Sequence, residues 1–273
     1  MTGRALVLTM GDPAGCGPVI TAQAWKERRG DPAGPFAVIA DPSIYDGMCP
    51  TQTIQRLEDA SAVFQSALPV LPLHSPLPHA PIAGAPDKAF ASDIIASIDM
   101  ATRLCLNGQA TGMVTNPISK AVLYEAGFEH PGHTEFVATI CDEVRGGPFH
   151  PIMMLVGGGL KVALATIHIP LAQVSSALTQ SLLVQTGSIV NQALKQDFGL
   201  SAPRIAFTGL NPHAGENGTI GTEEVEIINP AATALRAEGV DMANARPGDT
   251  VFHEALQGQF DAVIAMTHDQ GLI

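Results

Sequence analysis

Cationic residues are scarce in this chain of 273 residues: 14 lysines and arginines stand against 26 acidic residues, a formal net charge of −12. Binding a nucleic-acid backbone needs a basic stripe that so few cations do not supply, which excludes nucleic acid as a partner. Charge of either sign is sparse at 15% while hydrophobic residues reach 46%, the reverse of a disordered composition, so a packed globular fold is expected. No apolar run approaches the ~20 residues needed to span a bilayer. The N-terminal stretch MTGRALVLTMGDPAG is broken by glycine and proline too soon for a secretory signal. These absences point to a cytoplasmic protein with no membrane partner. Cys16, Cys49, Cys105 and Cys141 lack CxxC spacing and lie on or beside apolar segments, which reads as buried thiols of a reducing compartment.

Several catalytic signatures are also missing. There is no GxxxxGK[ST] phosphate loop and no GxSxG elbow. The loop GDPAGCGP places glycines at 11, 15 and 17 with Pro13 and Pro18 between them, which departs from the GxGxxG dinucleotide fingerprint.

What the chain does have is an alternation of strand and helix signals. Apolar runs at 5–10, 36–41, 112–117, 204–210 and 261–268 read as strands. Periodic stretches at 19–30, 92–108, 171–198 and 222–239, with a short one at 250–257, read as helices. Residues 67–87 read as irregular connection. PIMMLV (151–156) and LKVALATIHIP (160–170), joined by three glycines, predict a hairpin. The class is therefore α/β, with mostly parallel sheet and an antiparallel insertion in a second lobe.

Three of the apolar runs end in the same way. VALATIHIP delivers His168, RIAFTGLNPHAG delivers His213 and AVIAMTHDQG delivers His268, each at or just past the C-terminal edge of a strand, where open α/β sheets place their ligands. Three imidazoles meeting there make a site for zinc or another divalent ion. The spacings are long, and for His213 alone a solvated position in a Pro-Gly turn stays open. His133 and Thr134 follow a Pro-Gly turn and open a helix, so an imidazole, a hydroxyl and free N–H groups are available to an anion; a plain N-cap is the alternative. His74, His79, His150 and His253 read as surface or packing residues.

Taken together, LTMGDPAGCGP, TNPISKA, PGHTEF, MMLVGGGLKVALATIHIPL, GLNPHAGENG, GDTVF and FDAVIAMTHDQGLI resemble the 4-hydroxythreonine-4-phosphate dehydrogenases of pyridoxal phosphate biosynthesis, in order from residue 8 to the end. The resemblance implies an isocitrate/isopropylmalate dehydrogenase-like fold of two α/β/α domains with a cleft between them, and a homodimer whose active site draws on both subunits. It suggests a first domain over 1–128, a second over 129–255 with the metal site and dimer contact, and a strand and HDQG loop over 256–273 returning toward the first.

Carried over by motif, His168, His213 and His268 are the metal ligands, and His133 and Thr134 bind substrate. Asp249, Lys120 and Asp269 are candidates for catalytic proton transfer. The implied reaction is NAD- or NADP-dependent oxidation of 4-phosphohydroxy-L-threonine, assisted by zinc, magnesium or cobalt. Its β-keto acid product decarboxylates to 3-amino-2-oxopropyl phosphate. Relatives with these motifs act on 4-phospho-D-threonate or erythronate, or on aromatic cis-dihydrodiols, and those substrates are the first alternative. A metal hydrolase using the three histidines, or a non-catalytic metal-binding dimer, is the alternative of another class. The family continues for several tens of residues past HDQGL, with a lysine, further anion-binding groups and part of the nucleotide site, and the present sequence does not carry those groups.

Overall fold

The computed structural model describes residues 5–31 and 34–272. The chain forms two compact units, Met1–Pro151 and Ile152–Ile273.

The first unit runs β1 (Leu6–Thr9), α1 (Gly17–Arg28), β2 (Phe36–Ile39), β3 (Thr51–Thr53), α2 (Ala60–Val63), β4 (Leu68–Leu71), α3 (Ala91–Leu106), β5 (Met113–Val114), α4 (Lys120–Glu125) and α5 (His133–Arg145). Its sheet has the order β3-β4-β2-β1-β5, and every pairing is parallel. The continuous apolar runs LVLT and FAVI suit strands buried on both faces. The pleat divides them: Leu8, Val38 and Val70 pack on one face with Trp25, Phe90 and Ile94, while Val7, Ala37 and Ile39 pack on the other with Ile54, Val63 and Ala101.

Two strands of this sheet escaped the sequence pattern. β3 is a polar edge strand of three residues, and β4 contains Pro69 inside a stretch expected to be irregular. Leu68 N–H donates toward β3, to Pro50 O. The missing donor of Pro69 therefore faces β2, where the ladder begins only at Val70, and costs no strand hydrogen bond.

The second unit runs β6 (Met154–Gly157), β7 (Leu160–Leu164), α6 (Leu171–Ala177), α7 (Gln180–Gln196), β8 (Arg204–Thr208), α8 (Asn229–Ala237), β9 (Asp241–Arg246), α9 (Val251–Leu256), β10 (Ala262–Ala265) and α10 (His268–Gly271). The sheet order is β6-β7-β10-β8-β9, with only β6 antiparallel. The expected hairpin is β6–β7, turning through Gly158 and Gly159 at φ of 56° and 87°. The expected helix over 171–198 is two helices. Leu178 is extended, and the Thr179 side chain accepts Leu182 N–H at 3.1 Å to start α7 anew. One turn of wide, π-type helix over Glu224–Ile228 leads into α8, whose Pro230 has no N–H to give to the carbonyl four residues back.

The division of the chain differs from the expected boundaries in two places. α5 belongs with the first unit because Phe136 and Val137 pack into its core. The strand over 262–265 does not return to the first sheet. All four of its residues are buried and it lies at the centre of the second sheet, paired with β7 on one side and β8 on the other.

Candidate active site

β7, β10 and β8 are adjacent and parallel, so their C-terminal ends form one continuous edge. His168 follows β7, His268 opens α10 after β10, and His213 lies beyond β8.

Buried threonines lace these ends together. Thr166 Oγ1 donates to Met266 O at 2.7 Å, and Met266 N–H donates to Thr208 Oγ1 at 3.1 Å. The peptide groups of the central strand are thus held from both neighbours. Thr267 and Gln270 form a reciprocal cap on α10, and Gln270 Nε2 donates to Gly209 O at 2.9 Å, tying the His268 turn to the start of the His213 loop. The T-x-x-Q capping pattern is visible in the sequence; the roles of Thr166 and Thr208 need the strand order to be known.

The rings of His168 and His268 face each other at 5.4 Å between centroids, inclined by 52°. They line a cavity of about 210 Å3 with Ile167, Leu171, Thr267 and Asp269. His268 Nδ1 and Asp269 Oδ1 are 2.9 Å apart. When Nδ1 carries the proton, Nε2 keeps its lone pair for a ligand.

His213 and Asp249 line a neighbouring cavity of about 430 Å3 with Asn211, Phe252 and Gln270. His213 opens a run of five left-handed residues, His213 to Asn217, with φ of 54°, 52°, 74°, 41° and 58°. Such a conformation costs about 1–2 kcal/mol at each non-glycine residue, so the surroundings must hold it in place.

Among the described residues, no three histidine, cysteine, aspartate or glutamate side chains stand together as a metal cluster. The structure brings His168 and His268 together and sets His213 in the next cavity. The donor set of imidazoles on adjacent strand ends, with carboxylates beside them, nonetheless suits a divalent ion.

In the first unit, His133 and Thr134 begin α5, whose first turn has no side-chain cap. The Nε2 of His133 is buried with no hydrogen-bond partner. Burial, and then the Lys120 ammonium, hold its pKa below the ordinary 6.5. A Cβ placed on Gly132 would lie 3.6 Å from Lys120 Nζ, which puts the cation at this helix N-terminus. Both His133 and Thr134 line a cavity of about 350 Å3 with Met113, Val137, Phe149 and His150, so His150, expected at the surface or in packing, faces the same space as His133.

The model of the pyridoxal phosphate biosynthetic protein PdxA family matches residues 34–273. A protein named 4-hydroxythreonine-4-phosphate dehydrogenase from Methylorubrum populi is 45% identical over 277 residues, covering 99% of this chain and 79% of its own length. A protein of the same name from Caulobacter vibrioides is 45% identical over 280 residues, covering 100% and 82%. The chain belongs to this family.

Among solved structures, a 4-hydroxythreonine-4-phosphate dehydrogenase from Klebsiella pneumoniae superposes with a TM-score of 0.87 at 32% identity, over 98% of this chain and 83% of that one. A terephthalate 1,2-cis-dihydrodiol dehydrogenase from Burkholderia xenovorans superposes at 0.69 with 26% identity, over 98% and 81%. The fold is accordingly the mixed α/β, isocitrate/isopropylmalate dehydrogenase-like one of the PdxA relatives.

Two of the stretches that suggested the PdxA family have a structural role here. Asn116 of TNPISKA donates its side-chain N–H to Thr9 O and Thr21 Oγ1, both at 2.8 Å. Gly11 of MGDPAG, at φ 68°, passes so close that a Cβ would sit 2.6 Å from that of Asn116. These motifs lock the ends of β1 and β5 together, and the departure from the dinucleotide fingerprint follows from this different use of glycine. Among the described residues, no helix is long and apolar enough to cross a membrane.

Proposed function

We propose that this chain oxidises 4-phosphohydroxy-L-threonine with NAD or NADP, assisted by a divalent ion such as zinc, magnesium or cobalt, to a β-keto acid that loses carbon dioxide to give 3-amino-2-oxopropyl phosphate. The observation that carries the reading is the facing pair His168 and His268 on adjacent strand ends, with His213 on the next, in a chain 45% identical to proteins named for this reaction.

His168, His213 and His268 would hold the ion. When bound, the ion would supply Lewis acidity to the substrate hydroxyl, and a nicotinamide would supply the hydride acceptor. Asp249 shares the His213 cavity and Asp269 stands beside His268, so either can take the hydroxyl proton. The capless N-terminus of α5, with His133, Thr134 and the nearby Lys120, suits an anionic end of the substrate. A neutral His133 donates from one ring nitrogen without adding charge, as its lowered pKa favours. The active species is a cytoplasmic homodimer whose site draws on both subunits. Related phosphorylated hydroxy acids, 4-phospho-D-threonate or erythronate, stay within the same chemistry. A cis-dihydrodiol substrate is supported by the Burkholderia xenovorans match.

The test is nicotinamide reduction by the purified protein with phosphohydroxythreonine, 4-phosphothreonate, 4-phosphoerythronate and a terephthalate cis-dihydrodiol, each with and without chelator. Chelator-sensitive turnover on phosphohydroxythreonine above the others is expected. Turnover on the dihydrodiol alone, or none that depends on nicotinamide, overturns the reading.

A further inference from the structure

One carboxyl group in the second unit is almost wholly enclosed and takes no part in the chemistry above: Glu224, 1% exposed. Its Oε1 accepts the N–H groups of Leu210 at 2.8 Å and Asn211 at 2.7 Å, and its Oε2 accepts Asn211 Nδ2 at 2.9 Å. Leu210 and Asn211 are the residues from which the chain enters Pro212 and His213. Asn211 Nδ2 also donates to Glu223 Oε2 at 2.7 Å, and Glu223 Oε1 accepts Ser175 Oγ of α6 at 2.7 Å. The loop is therefore tied both to the core and to the helix that follows His168.

The far side of the loop closes on the same group. A Cβ on Gly215 would lie 2.5 Å from Glu224 Oε2, and one on Gly209 would lie 3.1 Å from Oε1. The backbone thus wraps the carboxyl from Gly209 to Gly215, with the left-handed residues 213–217 on that wrap. Asn211, which opens this turn, supplies no side-chain cap of its own.

We infer that Glu224 is a positioning residue for His213: its two oxygens hold the loop by hydrogen bonds at Leu210 and Asn211, just before that residue, while the backbone at Gly215 packs against the same carboxyl just after it. Together these set where the imidazole stands at the strand edge. The inference rests on the ligand role proposed for His213. Glutamate suits this task because three N–H donors converge from one loop, and a carboxyl group answers all of them with two acceptors.

The test uses the full chain and two readouts, hydrogen exchange of the 210–217 segment without metal and Co2+ titration of the stripped protein, with His213→Ala as reference. Glu224→Ala and Gly215→Ala are expected to speed exchange at 213–217, leave that of α7 and β10 unchanged, and weaken Co2+ binding by roughly 10- to 100-fold, the size typical of losing a group that orients a ligand. Glu224→Gln keeps a carbonyl oxygen for Leu210 and Asn211 and is expected to lose less. Unchanged exchange at 213–217 in Glu224→Ala overturns the inference, as does unchanged Co2+ affinity where His213→Ala loses it. If His213→Ala binds Co2+ like the parent protein, the ligand role of His213 fails instead, and the loop exchange decides alone whether Glu224 holds the turn. Should Glu224→Ala not fold, Glu224→Gln and Gly215→Ala make the same comparison.

Discussion

The imidazoles of His168 and His268 face each other across 5.4 Å at the ends of neighbouring parallel strands. On the proposed reading, a shared metal ion accounts for two such rings at a sheet edge around a cavity. Replacing either by alanine is expected to weaken Co2+ or Zn2+ binding by more than the roughly 10- to 100-fold typical of a supporting group, with the unfolding midpoint of the stripped protein little changed. Calorimetric titration of each variant measures this, and equal affinities for parent and variant would remove both residues from the site.

Thr208 should matter without touching substrate. Its hydroxyl is the acceptor for Met266 N–H inside the sheet, so Thr208→Val leaves a buried donor unanswered at nearly constant volume. A loss of about 1–3 kcal/mol is expected, seen as a lower urea midpoint with the slope of the transition unchanged.

The helix pair α7–α8 depends on a missing side chain. A Cβ on Gly187 would lie 2.4 Å from Leu235 Cδ1 and 3.3 Å from Met242 Cε, and both residues are buried. Gly187→Ala is expected to destabilise the second unit by about 1–3 kcal/mol through overpacking, despite the better helix propensity of alanine. Thermal unfolding compared with the parent decides it.

His133 provides a pH signature. Its folded pKa lies below 6.5, first through burial and then through Lys120, so the unfolded chain binds the proton more readily. Stability from this residue is complete above pH 6.5 and declines as pH falls toward the folded value. Lys120→Met should raise the His133 pKa part of the way back and shrink that decline, since burial remains. Titration of the His133 ring protons by NMR reads the shift, and an unchanged value would place Lys120 too far away to act.

The layout was legible where the physics is local. Continuous apolar runs marked β1, β2, β8 and β10, and three glycines marked the β6–β7 turn. The polar edge strands β3 and β9 were not, because pairing with β4 and β8 makes them strands and their own residues do not show it. The same limit applies to the site. His168, His213 and His268 could be picked out because each ends an apolar run, yet only the order β7-β10-β8 shows that His168 faces His268 while His213 lies in the next cavity. Glu224 gave no signal at all, since a glutamate in a helical stretch reads as surface until the loop from Gly209 to Gly215 is seen closing over it.

The most direct test of the central claim is to strip the protein with chelator and add back Co2+, following the metal's visible absorption and nicotinamide reduction with phosphohydroxythreonine in the same titration. The account predicts that both rise together and saturate at one ion per chain, and that both vanish when His168, His213 and His268 are all alanine. Full turnover in the stripped protein, or undiminished Co2+ binding without the three histidines, would contradict it.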